Sequence, residues 1–307
     1  MNEMIRTENL GRRFGSVEAV AEVSLSVRPG EIYGFLGLNG AGKTTTIRML
    51  LGLVRPTVGR VLIDGQEIVP GRSGLWNRVG YLVETPSAYP ELTVEENLRL
   101  IARLRLLSRP AEAVTRVIRQ LDLSAFAGRQ ARHLSLGNAQ RLGLAKALIH
   151  DPELLILDEP SNALDPAGIV EIRTMLQTMA RERGKTVFVS SHNLDEVSRF
   201  ADRIGIIHEG HMVHELAMED VQSLTSRQLE VGTTDLAGAK RALEAAGYEV
   251  RDGSGCLWLP DVRAVERPED VNLLLVRSGL TPSRLVVREE NLEAYFLRAI
   301  GNTGEQQ

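Results

Sequence analysis

The chain has 307 residues, 43% of them hydrophobic and 25% charged, with a formal net charge of −4, which fits an ordinary soluble protein of about two domains and calls for no nucleic-acid partner. Its single cysteine, Cys256, excludes an internal disulfide and a cysteine-cluster zinc site and fits a reducing compartment. No run reaches the roughly 18 apolar residues of a membrane span, and the opening residues lack the apolar centre of a signal peptide, so any membrane role is expected to fall to a partner.

In chain order, short apolar runs alternate with helical patterns from the first residue to about residue 216. Residues 32–36, 154–157 and 186–189 are apolar on both faces and predict buried strands. Residues 44–53, 94–107, 139–149 and 167–181 carry the spacing of helices. Such alternation predicts a mostly parallel sheet with helices packed on it. Residues 203–208 and 211–215 predict a closing hairpin around Glu209-Gly210. Beyond about residue 223 the pattern changes. Strands are expected at 228–232, 248–251, 256–259 and 283–288, and helices at 235–246, 268–278 and 291–300. The order βαββαβ predicts a ferredoxin-like sandwich, followed by a frayed tail at 301–307. The expected domains are 1–222 and 223–307.

Gly37-Leu38-Asn39-Gly40-Ala41-Gly42-Lys43-Thr44 fits the phosphate-loop pattern, with an apolar strand before it and a helix after it. The glycines let the backbone turn tightly and aim N–H groups at an anion, and the helix adds the positive end of its dipole. Lys43 is expected on the β- and γ-phosphates and the Thr44 hydroxyl on Mg²⁺. Asn39, Gly40, Ala41, Gly42 and Thr45 complete the expected ATP seat. Leu154-Leu155-Ile156-Leu157-Asp158-Glu159 delivers two carboxylates to the C-terminal end of a strand, where ligands sit in open α/β sheets. Asp158 is the expected metal residue, and Glu159 the expected general base toward the attacking water. These two elements predict nucleotide binding without saying which ATPase.

Leu134-Ser135-Leu136-Gly137-Asn138-Ala139-Gln140-Arg141 resembles the signature segment of ABC transporter ATPases. Leu136 stands where that family usually has Gly, and Asn138 where it has Gln. The resemblance covers roughly residues 3–216. It implies a P-loop, ABC-type nucleotide-binding domain with a RecA-like core, an antiparallel β subdomain and a helical subdomain, to which the small C-terminal α+β domain is added. Ser135, Leu136, Gly137 and Asn138 are then expected to serve ATP held by the opposite subunit, and Ser135 is also placed to cap the next helix. Ser161-Asn162-Ala163-Leu164-Asp165 resembles the family's D-loop, with Asp165 at the dimer seam. His192, after the third apolar strand, resembles the switch histidine that senses the γ-phosphate. Phe14 stands where the family places an aromatic against adenine.

Glu84 occupies a position where most relatives carry Gln. A carboxylate there resembles the bacitracin-resistance and lantibiotic-immunity branch, as do Ser135-Leu136-Gly137 and Leu164-Asp165-Pro166-Ala167-Gly168-Ile169. Beside Mg²⁺ it adds a charge that the metal attracts and the γ-phosphate repels, so Glu84 is expected to reach the metal when the site closes.

The resemblance implies a head-to-tail homodimer with two ATP molecules at the seam. It also implies a separate transmembrane permease docked near residues 85–98, and a place on the cytoplasmic face of the membrane. The function expected is ATP hydrolysis that drives export of an antibiotic, peptide or other amphipathic compound. The alternatives are a non-transport ABC ATPase of the translation or DNA-repair type, or an ATP-switched regulatory module. The C-terminal domain is expected to cap or stabilise the dimer.

Overall fold

Strands that are apolar on both faces must be covered on both, and the chain provides a layer for each face. The computed structural model describes residues 3–69, 74–84, 87–220 and 227–289. The chain divides into two units, Met1–Met218 and Glu219–Gln307. The first runs β1 (Ile5–Phe14), β2 (Val17–Val23), β3 (Ser26–Val27), β4 (Ile32–Leu36), α1 (Lys43–Leu50), β5 (Val58–Ile63), β6 (Gln66–Glu67), β7 (Val79–Leu82), α2 (Val94–Leu104), α3 (Pro110–Gln120), α4 (Leu136–Leu148), β8 (Leu154–Asp158), α5 (Pro166–Arg183), β9 (Thr186–Ser191), α6 (Leu194–Ser198), β10 (Arg203–His208) and β11 (His211–Ala217).

The central sheet has the order β11-β10-β4-β9-β8-β7, parallel except for the β10–β11 hairpin. Register decides what its C-terminal edge displays. Leu36 lies opposite Ser191 and Asp158 opposite Ser190, so the chain leaves β4, β8 and β9 at one place. A second, antiparallel sheet of β2-β1-β5-β6, with β3 beside β1, shares one apolar core with α1 and the central strands. Ile5, Leu10, Phe35, Ile47, Leu50, Val61 and Phe188 meet there, all essentially excluded from water.

Helices α2, α3 and α4 pack together as the helical layer. α2 begins at a capping box in which Thr93 and Glu96 each satisfy the other's backbone N–H, and it buries Val94, Leu98 and Ala102 along one stripe. α5 opens with Asp165 as N-cap and Pro166 at its first position and ends at Gly184 with φ 63°.

The second unit holds β12 (Arg227–Gly232), α7 (Leu236–Ala245), β13 (Arg251–Asp252), β14 (Leu257–Leu259), α8 (Val262–Glu266), α9 (Pro268–Arg277) and β15 (Arg284–Glu289). Its order β13-β14-β12-β15, antiparallel throughout, is that of a split βαβ sandwich. Leu229, Val231, Leu243, Leu259, Val271 and Leu275 form its core. Two details depart from the expectation. Tyr248 and Val250 pack on the core, yet pairing begins only at Arg251, opposite Trp258; apolar alternation reports burial, not hydrogen bonding. The unexpected α8 is capped by Asp261 and buries Ala264. The expected helix at 291–300, the tail at 301–307, and Thr85 and Pro86 lie outside the described residues.

Candidate functional site

β4 ends at Leu36, and the chain turns at once into the glycine loop. Gly37 has no room for a side chain, since a Cβ would sit 2.4 Å from the Ile207 carbonyl oxygen. Gly42 takes φ 106°, and a Cβ there would meet the Ala19 carbonyl at 2.6 Å. α1 then starts at Lys43, so its first-turn N–H groups are free of intrahelical partners and suit an anion. The Lys43 amine is buried. It donates to the Gly37 carbonyl at 2.7 Å and the Leu38 carbonyl at 3.2 Å, and lies 3.3 Å from Glu159 Oε1.

The acidic strand end is tied down from two sides. The Thr44 hydroxyl donates to Asp158 Oδ2 at 2.8 Å, and the Ser190 hydroxyl donates to Asp158 Oδ1 at 2.6 Å. Ser190 Oγ in turn accepts the Glu159 N–H at 3.1 Å. Glu159 holds φ 49°, a left-handed backbone uncommon for a residue with a side chain. Its Oε2 lies 2.8 Å from His192 Nδ1. A cleft of about 300 Å³ opens between the loop residues Asn39, Gly40, Gly42, Lys43, Thr44 and Thr45 on one side and Glu159, Asn162 and His192 on the other. The neighbouring Thr44 hydroxyl and Asp158 carboxylate are hard oxygen donors of the kind Mg²⁺ takes.

Other expected residues lie elsewhere. Ala41 turns into the core and is buried. Phe14 ends β1, half exposed beneath the Arg12 guanidinium at 4.4 Å, and does not line the cleft. Glu84 takes φ 54°, and its carboxylate accepts from Arg48 Nη2 at 2.7 Å. Ser135 caps α4 by accepting the Asn138 N–H at 3.3 Å, and Leu136 beside it is 76% exposed. Neither Ser135, Leu136, Gly137 nor Asn138 lines the chain's own cleft. A Cβ on Gly137 would come 3.0 Å from the Ala163 carbonyl, so the signature and the D-loop of one chain touch. Asp165 caps α5 by accepting the Gly168 N–H at 2.9 Å. Buried Asn97, in the first turn of α2, accepts the N–H of Tyr89 ahead of the helix at 2.8 Å and donates to the Tyr89 carbonyl at 3.1 Å.

Two residues matter here that the sequence reading gave no role. Ser190 joins Asp158 to Glu159, and the signal for it was a polar residue at the end of a buried strand. Gln140, buried on α4, donates to the Glu159 and Pro160 carbonyls, each at 3.1 Å. A long amide on a helix face that is otherwise apolar was the signal there.

Residues 20–162 match the family described as ABC transporter. The bacitracin transport ATP-binding protein BcrA of Bacillus licheniformis is 38% identical over 306 residues, 98% of each chain. The lantibiotic transport ATP-binding protein SrtF of Streptococcus pyogenes is 34% identical over 226 residues, 72% of this chain and 94% of its own. Among solved structures, a dimeric ATP-binding cassette in a post-hydrolysis state with ADP and Pi superposes with a TM-score of 0.65 at 26% identity, over 70% of this chain and 99% of that one.

Proposed function

The chain belongs to the ABC transporter ATP-binding family, and from that membership we propose that it drives the export of a peptide antibiotic or similar amphipathic compound. As a subunit of this kind it binds and hydrolyses ATP, works as a dimer and serves a membrane permease. No described helix is long and apolar enough to cross a membrane, so we place the chain on the membrane through that permease.

One observation carries the catalytic reading: the Glu159 carboxylate is held between the Lys43 amine and His192 Nδ1, directly beyond the Thr44–Asp158 pair. These contacts support Glu159 as the group that takes a proton from the attacking water, with His192 keeping that carboxylate oriented. Loop N–H groups and Lys43 neutralise the phosphates, and Thr44 with Asp158 would hold Mg²⁺, which supplies charge stabilisation when bound. Glu84 would join them after leaving Arg48, and Phe14 would stack on adenine.

The signature segment, exposed and outside the chain's own cleft, supports a head-to-tail dimer in which Ser135, Leu136, Gly137 and Asn138 complete the partner's site and Asp165 lies at the seam. Two ATP molecules would then be part of the interface, and their hydrolysis would loosen it. Residues 1–222 form the motor in this reading, residues 85–98 border the permease contact, and residues 223–307 cap or stabilise the dimer.

Glu159→Gln tests the reading. The variant should retain ATP, accumulate as a dimer in sedimentation, and lose turnover by roughly 10²-fold or more. Normal phosphate release from it would overturn the role given to Glu159.

A further inference from the structure

Two segments leave neighbouring strands side by side. Residues 159–163 follow β8, and residues 192–196 follow β9 and open α6. The first is sharply bent: Glu159 at φ 49° and Ala163 at φ 64° both take the left-handed backbone that side chains disfavour. Such a bend persists only where its surroundings hold it. On one side Gln140 grips the Glu159 and Pro160 carbonyls. On the other, the Ser161 hydroxyl donates to Glu196 Oε1, and both residues are half-buried.

Glu196 is itself firmly seated. The Ser191 hydroxyl accepts the Asn193 N–H at 3.0 Å, and Asn193 caps α6 by accepting the Glu196 N–H at 3.0 Å. The next residue, Val197, is buried against β4, where a Cβ on Gly34 would lie 2.4 Å from it. The Glu159–His192 and Ser161–Glu196 contacts therefore join the same two segments at two points. The first lies in the cleft, which Glu159, Asn162 and His192 line; Ser161 and Glu196 stand behind it.

We propose that Glu196 is a positioning residue for hydrolysis: through Ser161 it fixes the 159–163 bend and so keeps the Glu159 carboxylate against His192. The proposal rests on Glu159 as the group that takes the proton, and adds what aims it. A misplacement of about 1 Å in such a group is enough to cost roughly 10²-fold in rate.

Steady-state ATP hydrolysis by variants of the full chain tests this, with the unfolding temperature measured on each. Glu196→Ala and Ser161→Ala should each lower kcat roughly tenfold or more and leave KM for ATP within about twofold. The double variant should fall no further than either single one, because both remove the same bond. Glu196→Gln should keep most of the rate, since its side-chain carbonyl still accepts the hydroxyl. Should Glu196→Ala not fold, Ser161→Ala and Glu196→Gln carry the test. Parent-level kcat in Ser161→Ala overturns the proposal. So does a loss in Glu196→Gln as large as that in the alanine variants, a rise in KM in place of the fall in kcat, or losses that multiply in the double variant. Glu159→Gln separates the two readings. Full turnover there removes the base itself, whereas an inactive Glu159→Gln beside an unimpaired Ser161→Ala removes the positioning role alone.

Discussion

At Glu84, outside the lining of the phosphate cleft, a carboxylate is held by a guanidinium. Its ion pair with Arg48 has both side chains substantially solvated, so it contributes at most about 1 kcal/mol and can be exchanged for a stronger counter-charge. Glu84→Gln should therefore shift the Mg²⁺ concentration that half-saturates hydrolysis by several-fold; an unchanged Mg²⁺ titration would remove Glu84 from the metal. Gln140 acts on the same chemistry from the other side. Gln140→Leu leaves the Glu159 and Pro160 carbonyls without that amide, which should cost about 1–3 kcal/mol in denaturant unfolding and lower kcat more than it raises KM. The phosphate loop, Asp158, Glu159 and His192 were legible because each is announced by its own few neighbours. Ser190, Gln140 and the Arg48–Glu84 pair were not, because their partners lie 19 to 36 residues away and meet them only through strand register and helix packing.

Among the elements, α2 shows how local chemistry sets a boundary. Thr93→Ala removes one half of its capping box and should cost about 1 kcal/mol, read as a lower unfolding midpoint. The sequence periodicity placed α4 three residues late, since the cap at Ser135 lets the helix start before its apolar spacing does. Just after α4, burial and the nearby Arg105 lower the pKa of His150 from 6.5 to about 4. Its Nε2 donates to the Val79 carbonyl, and buried Nδ1 has no partner. The folded form therefore refuses a proton that the unfolded chain accepts. Its contribution to stability is whole above pH 6.5 and is lost as pH falls from there toward about 4. His150→Gln should flatten the unfolding temperature across that window.

For the whole molecule, the two units carry separate cores and so separate sensitivities. In the second, Glu230 is almost fully buried and accepts from Arg284 and Arg288, each at 2.7 Å. Those two bonds lower its pKa. The stability it lends is present above the ordinary carboxylate pKa of about 4.3 and is lost as pH falls through the lower folded value. Calorimetry of the full chain between about pH 5 and pH 3 should show the second unit's transition falling, and Glu230→Gln should remove that slope. The sandwich was legible here because strand and helix order alone restrict the topology. The place where β13 starts was not, because side-chain burial and backbone pairing part company at Tyr248 and Val250.

α4 carries Lys146 near one end and the Ser135 cap at the other, about 16 Å apart along a stiff axis. Lys146 holds the Ser87 carbonyl, so if the serine tip answers a nucleotide in the sister subunit, a push at residue 87 is felt across the seam rather than at home. Each half of the transporter would then set the pace of its twin, so that replacing Lys146 on one subunit should slow the pocket belonging to the other.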